Sequence, residues 1–115
     1  MLSQAPLQTK RLDDIKEIDQ LDFLKIDIQG GELPVFQNAT RLLEKASVIQ
    51  TEVSFVTLYE NQPSFGEVDV ELRKQGFMPH CFTMVKKGPI APLVINNDPR
   101  QPLNQLMEAD VVYVK

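Results

Sequence analysis

A three-layer α/β fold built on a mixed sheet of about four strands is what this sequence predicts, and three observations predict it. Strand-like alternation and helix-like spacing take turns along the chain, the first strand runs into a glycine pair that opens a helix, and no helical pattern separates the last two strands. Strands joined by helices pair in parallel through right-handed crossovers, whereas strands joined directly pair antiparallel. The sheet is therefore expected to be mixed, with a reversed C-terminal strand.

The first element covers residues 12–18, where Leu12, Ile15 and Ile18 recur at three-residue spacing behind Asp13 and Asp14. This predicts a brief amphipathic helix under the sheet, with acids at its N-terminal dipole. Residues 21–28 alternate as a strand, with Leu24, Ile26 and Ile28 on one face and Phe23, Lys25 and Asp27 on the other. Gly30-Gly31 ends it. Val35, Phe36, Ala39, Leu42, Leu43 and Ala46 then follow helical spacing, with Pro34 in the first turn, where a missing N–H costs nothing. Asn38 interrupts that stripe. Because Asn tolerates a left-handed backbone, a break into two short helices is one reading and a straight helix the other.

Residues 48–55 form the second strand, with Ile49, Thr51, Val53 and Phe55 on one face and Gln50, Glu52 and Ser54 on a polar face opposite. Ser64 and Glu67 make an S-x-x-E capping box for a helix with the stripe Phe65, Val68 and Leu72, and Gly76 closes it. Phe77 stands where a Schellman end places an apolar contact. A third strand runs to about Val85, at an edge because of Pro79. Gly88-Pro89 and Asn97-Asp98-Pro99 mark a long connection, and residues 109–115 are the last strand.

Composition limits what this fold can do. With 43% hydrophobic and 24% charged residues, the 115-residue chain suits one globular domain with one core. The net charge is −4 and no window gathers Lys and Arg into a stripe, so nucleic acid is not an expected partner. Apolar runs such as Val111-Val112-Tyr113-Val114 are far shorter than the ~20 residues of a membrane span, and residues 1–10 lack the apolar core of a signal peptide. A cytoplasmic chain that makes no membrane contact is the expectation. Cys81 is the only cysteine and reads as a half-buried structural thiol, and His80 has no second metal ligand near it in sequence.

Ligands of open parallel sheets bind beyond the carboxyl ends of the strands, which directs attention to Asp27-Ile28-Gln29-Gly30-Gly31-Glu32. Asp27, a carboxylate ending an apolar strand, either accepts hydrogen bonds from a ligand's ammonium or hydroxyl, or pairs with a nearby cation or caps the turn. Glu52 lies beside Asp27 if the two strands are neighbours, and the two then act as base and orienter; a solvated or salt-bridged Glu52 is the alternative. Gly30-Gly31 either lets a ligand approach the backbone or simply makes the turn.

These residues carry a resemblance. Leu12-Asp13-Asp14-Ile15, followed by Asp22-Phe23-Leu24-Lys25-Ile26-Asp27-Ile28-Gln29-Gly30-Gly31-Glu32-Leu33, resembles the LDDL and DFLKIDIQGGEL stretches of FkbM-type methyltransferases. It continues through Gln50-Thr51-Glu52-Val53-Ser54-Phe55, Leu58-Tyr59-Glu60, Gln75-Gly76-Phe77 and Ala109-Asp110-Val111-Val112-Tyr113-Val114. Asn38 stands where many relatives have glycine. The resemblance implies a Rossmann-like methyltransferase fold whose seven-stranded sheet ends in a reversed strand between the fifth and sixth, with residues 1–115 supplying the last four strands. It implies methyl transfer from S-adenosylmethionine to a hydroxyl oxygen of a sugar or secondary metabolite.

On that pattern Asp27, Gln29 and Gly30 line the methionine end of the cofactor, and Glu32 or Glu52 orients the acceptor or takes its proton. The family's glycine-rich first strand and ribose-binding acid have no counterpart in these residues, so the chain is expected to be the C-terminal half of the domain. A non-enzymatic remnant or interaction module is the competing expectation. Loss of the covering strand leaves the edge at residues 21–28 bare, and a homodimer is expected there.

Overall fold

A computed structural model describes residues 4–89, 97–98 and 104–115. Four strands form one sheet in the order β1-β2-β4-β3: β1 is Phe23–Ile26, β2 Val48–Ser54, β3 Met78–Gly88 and β4 Gln105–Val114. β1 and β2 run parallel, and β4 is antiparallel to both of its neighbours, β2 and β3. The reversed last strand is thus inserted between β2 and β3. The third and fourth strands are both longer than the sequence suggests, because the β3–β4 hairpin extends its pairing to Gly88↔Gln105, beyond the reach of β2. Much of the long connection expected between them lies outside the described residues.

Helices α1 (Glu32–Gln37), α2 (Thr40–Leu43) and α3 (Phe65–Lys74) complete the order. All three pack on one face. Phe36 of α1, Leu43 of α2, and Val68 and Leu72 of α3 form a single cluster with Ile49 and Val53 of β2 and Ala109, Val111 and Tyr113 of β4. Each fully buried large side chain here contributes about 1.5–3 kcal/mol. Among the described residues no helix covers the other face, so the architecture is two layers and not the three expected. This explains the polar face of β2: Gln50 and Glu52 are only partly covered because they lie on the open side of the sheet.

Local signals translate directly at several points. Ser64 and Glu67 make the reciprocal capping box at the start of α3. Gly76, at φ +95°, ends it in a Schellman motif: Phe77 N–H donates to Leu72 O (2.9 Å) and Gly76 N–H to Arg73 O (3.0 Å). Phe77 is consequently buried beside Leu72. β4 is tied to α3 by the fully buried Tyr113, whose hydroxyl donates to Asp69 Oδ1 at 2.9 Å while Arg73 Nε holds the other oxygen at 2.8 Å. Burial and this bond both push the Tyr113 hydroxyl pKa up.

Three expectations are corrected. The segment 12–18 contains a single 3-10 turn, Leu12–Asp14, and not an amphipathic helix. Asp13 serves a distant helix instead, accepting from the backbone N–H groups of Arg41 (2.9 Å) and Leu42 (3.0 Å) at the start of α2. The chain does break between α1 and α2, but Asn38 sits at φ −113°, outside the left-handed region. Its side-chain amide donates to Pro34 O at 2.8 Å, the same carbonyl that accepts from its own backbone N–H at 3.1 Å, so side chain and main chain of Asn38 together close the last turn of α1. Cys81, expected to be half-buried, is exposed on β3. That strand is an edge, as Pro79 indicates, and its pairing with β4 shifts register between Pro79 and Cys81 and again between Phe82 and Met84.

Candidate functional site

The parallel strands β1 and β2 point their carboxyl ends the same way, and the loops that follow them meet there. After β1 the chain turns through Gln29 (φ +59°) and Gly30 (φ +102°), both left-handed, which only a glycine accepts freely at the second position. Glu32 fixes this turn. One carboxylate oxygen accepts from Ile28 N–H (2.9 Å) and the other from Gly30 N–H (3.0 Å), which is how an acid that is only 4% exposed remains satisfied.

The loop after β2 has its own clamp. Gln62 Oε1 accepts from the N–H groups of Leu58 (2.8 Å) and Tyr59 (3.2 Å), and its Nε2 donates to Ser54 Oγ at 2.7 Å. Between the two clamps is a cleft lined by Gly30, Glu32, Glu52, Ser54, Gln62 and Pro63, with about 10 Å³ of free volume. That is room for roughly one water.

Glu52 and Asp27 both belong to this corner. Ile26 pairs with Thr51, so Asp27 follows in register beside Glu52, and Glu52 in turn faces Asp110 of β4. The Glu52 carboxyl is pushed up to about 7, first by burial and then by the negative charges of Glu108, Asp27 and Asp110, which Lys86 offsets in part. Lys86 itself lies 3.7 Å from Glu108. Asp27 is exposed; one of its oxygens accepts from Gln29 Nε2 at 3.1 Å.

Each residue named from the sequence is thereby placed. Asp27, Gln29, Gly30, Glu32 and Glu52 lie in one corner, with Glu32 turned inward to the backbone and Asp27 outward to solvent. Ser54, Gln62, Glu108 and Asp110 are the members that sequence reasoning missed. Period-two alternation of Glu108, Asp110 and Val112 was available as a sign that β4 has an open face, but nothing local marks Gln62. His80 is exposed on β3, and no group of three or more His, Cys, Asp or Glu among the described residues is placed to hold a metal.

Residues 3–79 match the model of the methyltransferase FkbM domain, about two thirds of the chain. The chain belongs to the FkbM methyltransferase domain family. The matched range takes in β1, the glycine turn, all three helices and β2, and stops as β3 begins, so the acids that raise Glu52 from β4 lie outside the matched part of the FkbM domain. No curated protein and no solved structure gives a match. Among the described residues no helix is long and apolar enough to cross a membrane.

Proposed function

We propose that residues 1–115 form the C-terminal part of a Rossmann-like FkbM domain that transfers methyl from S-adenosylmethionine to a hydroxyl of a sugar or secondary metabolite, with Glu52 as the general base. The observation that carries this is Glu52 itself: a partly buried carboxylate beyond the end of a parallel strand pair, with its pKa raised to about 7. A base is most effective when its pKa is close to the working pH. The sheet order supports the fold, since a reversed last strand between β2 and β3 is what the end of a methyltransferase sheet requires.

The cofactor fits these residues at one end only. Asp27 offers an exposed carboxylate, suited to an ammonium or hydroxyl, and the turn at Gln29 and Gly30 brings backbone beside it. The enclosed space in the corner admits a water and not a nucleoside, so adenine and ribose need residues beyond these. When bound, the donor supplies an electrophilic methyl group. This chain's part is to hold the acceptor hydroxyl near Glu52 and accept its proton at the Glu52 carboxylate, while Glu32 keeps the Ile28–Gly30 turn in shape.

Calorimetric titration of S-adenosylmethionine into the 115-residue chain should show no saturable binding below about 1 mM. Joined to the glycine-rich half of an FkbM domain, the chain should bind donor and transfer methyl, and Glu52→Gln should lower turnover roughly 100-fold with donor affinity unchanged. Micromolar binding by the chain alone would overturn the division of the site, and full turnover in the Glu52 variant would remove it as base. The small cleft also favours a second reading, a non-enzymatic interaction module; absence of transfer to every hydroxyl acceptor by the joined protein would select it.

A further inference from the structure

We propose that Gln62 is the positioning residue of this corner: its side chain fastens the loop after β2 to the end of that strand and lays it against the Gly30 turn, so that both loops close over Glu52 as one unit. This deepens the methyl-transfer reading and rests on it, because Glu52 is the base that the two loops enclose. Every contact that Gln62 makes here lies within residues 30–62, so none depends on what packs around them.

The backbone of Gln62 is set from both sides. Pro63 leads directly from it to Ser64, whose capping box fixes the start of α3. On the other side Gln62 N–H donates to Tyr59 O at 3.1 Å, and Asn61 makes the bend at φ +58°, a conformation that Asn tolerates. From this fixed point the side-chain amide works at both of its ends. Oε1 gathers the N–H groups of Leu58 and Tyr59, and Nε2 reaches back across the loop to Ser54 Oγ at 2.7 Å, on a residue only 5% exposed. An amide carries an acceptor and a donor at that reach, whereas a carboxylate only accepts and an ammonium only donates.

The same side chain meets the other loop. A methyl group placed on Gly30 would stand 3.7 Å from Gln62 Cγ and 4.0 Å from both Gln62 Nε2 and Tyr59 Cδ2, so the two loops are about one methyl group apart. Gly30, Glu32, Glu52, Ser54 and Gln62 share the walls of the water-sized cleft, and Gln62 thus shuts bulk water from one side of Glu52. The charged groups around that carboxyl come from every neighbouring element: Asp27 after β1, Glu32 of α1, Lys86 of β3, and Glu108 and Asp110 of β4. Lost water is the first cause of its rise to about 7, and the surrounding acids add to it. The side chain that excludes the water consequently sets the pH at which the base is free to act.

Gln62→Ala removes the bonds to Leu58, Tyr59 and Ser54 and opens the cleft. In the 115-residue chain the Leu58 and Tyr59 amides should then exchange about tenfold faster. The Glu52 carboxyl, followed by carbon-13 NMR and assigned by its loss in Glu52→Gln, should titrate at roughly 6 instead of about 7. Gln62→Glu keeps an acceptor for both N–H groups, and the Ser54 hydroxyl can turn to donate to it. In that variant the two amides should stay protected while the added charge drives Glu52 above 7. A residue that only stabilised its own loop would leave the Glu52 titration where it was. Joined to the glycine-rich half, Gln62→Ala should shift the acid limb of kcat to lower pH, following Glu52. Far-UV circular dichroism checks that both variants keep the fold. A Glu52 titration unmoved by both substitutions, or Leu58 and Tyr59 amides that exchange alike in the wild type and Gln62→Ala, would overturn the role of Gln62. A joined wild type without transfer, in which both NMR signatures hold, would overturn the methyl-transfer reading and leave the clamp standing.

Discussion

Replacing Glu52 by Gln should stabilise the protein above neutral pH and leave its stability nearly unchanged below about pH 4. The folded-state carboxyl titrates at about 7 against an ordinary value of 4.5, so between those values the folded chain binds more protons at this site than the unfolded one. Stability contributed by the site is then fully present below 4.5 and is lost as pH rises through 7. At ~1.4 kcal/mol per pKa unit the whole shift corresponds to roughly 3 kcal/mol, and solvent screening at a side chain still partly open to water reduces this to about 1–2 kcal/mol. Gln has the shape of neutral Glu and no charge to desolvate, so it should match the wild type at low pH and exceed it by that amount near pH 8. Urea unfolding at a series of pH values and one fixed protein concentration measures the difference, with unchanged m-values as the control. Parallel pH profiles for the two proteins would refute the argument, because they would mean that Glu52 titrates alike in the folded and unfolded chains.

Substitutions at two further positions test how the corner and its support are held. Glu32→Ala removes the acceptor from two backbone N–H groups, at Ile28 and Gly30, and should cost about 3 kcal/mol in urea unfolding; Glu32→Gln, which can satisfy at most one of them, should lie between. Equal stability of the alanine variant and the wild type would show that the turn holds itself. Asp13→Ala uncaps α2 and should cost about 1 kcal/mol, with faster hydrogen exchange at the Arg41 and Leu42 amides as its local signature. Unchanged exchange at those two amides would rule out the cap.

Features set by neighbours within one turn or one pleat were legible in the sequence. The faces of β1 and β2 followed from strict alternation, the capping box from Ser64 and Glu67, the end of α3 from Gly76, and the edge position of β3 from Pro79. The errors came from patterns that several structures satisfy equally. Leu12, Ile15 and Ile18 suit a short helix, but a segment this short gains little from helical hydrogen bonds, and Asp13 does more by capping α2 across 28 residues of chain. The third layer was inferred from the alternation of strands and helices. That order fixes crossovers but not how many helices lie on each face.

The sequence by itself determined the order and kind of the elements from β1 onward, the reversed direction of the last strand, and the corner in which the acids gather. Only the tertiary structure decided what each acid is. Asp27, Glu32 and Glu52 are chemically similar on the page, yet Asp27 is exposed, Glu32 is buried and saturated by backbone donors, and Glu52 is raised to about 7. A carboxylate's behaviour depends on the water it has lost and on the charges within about 4–6 Å of it. For Glu52 the neighbouring acids that raise it include Glu108 and Asp110, more than fifty residues away along the chain and set beside it only when β4 enters the sheet next to β2.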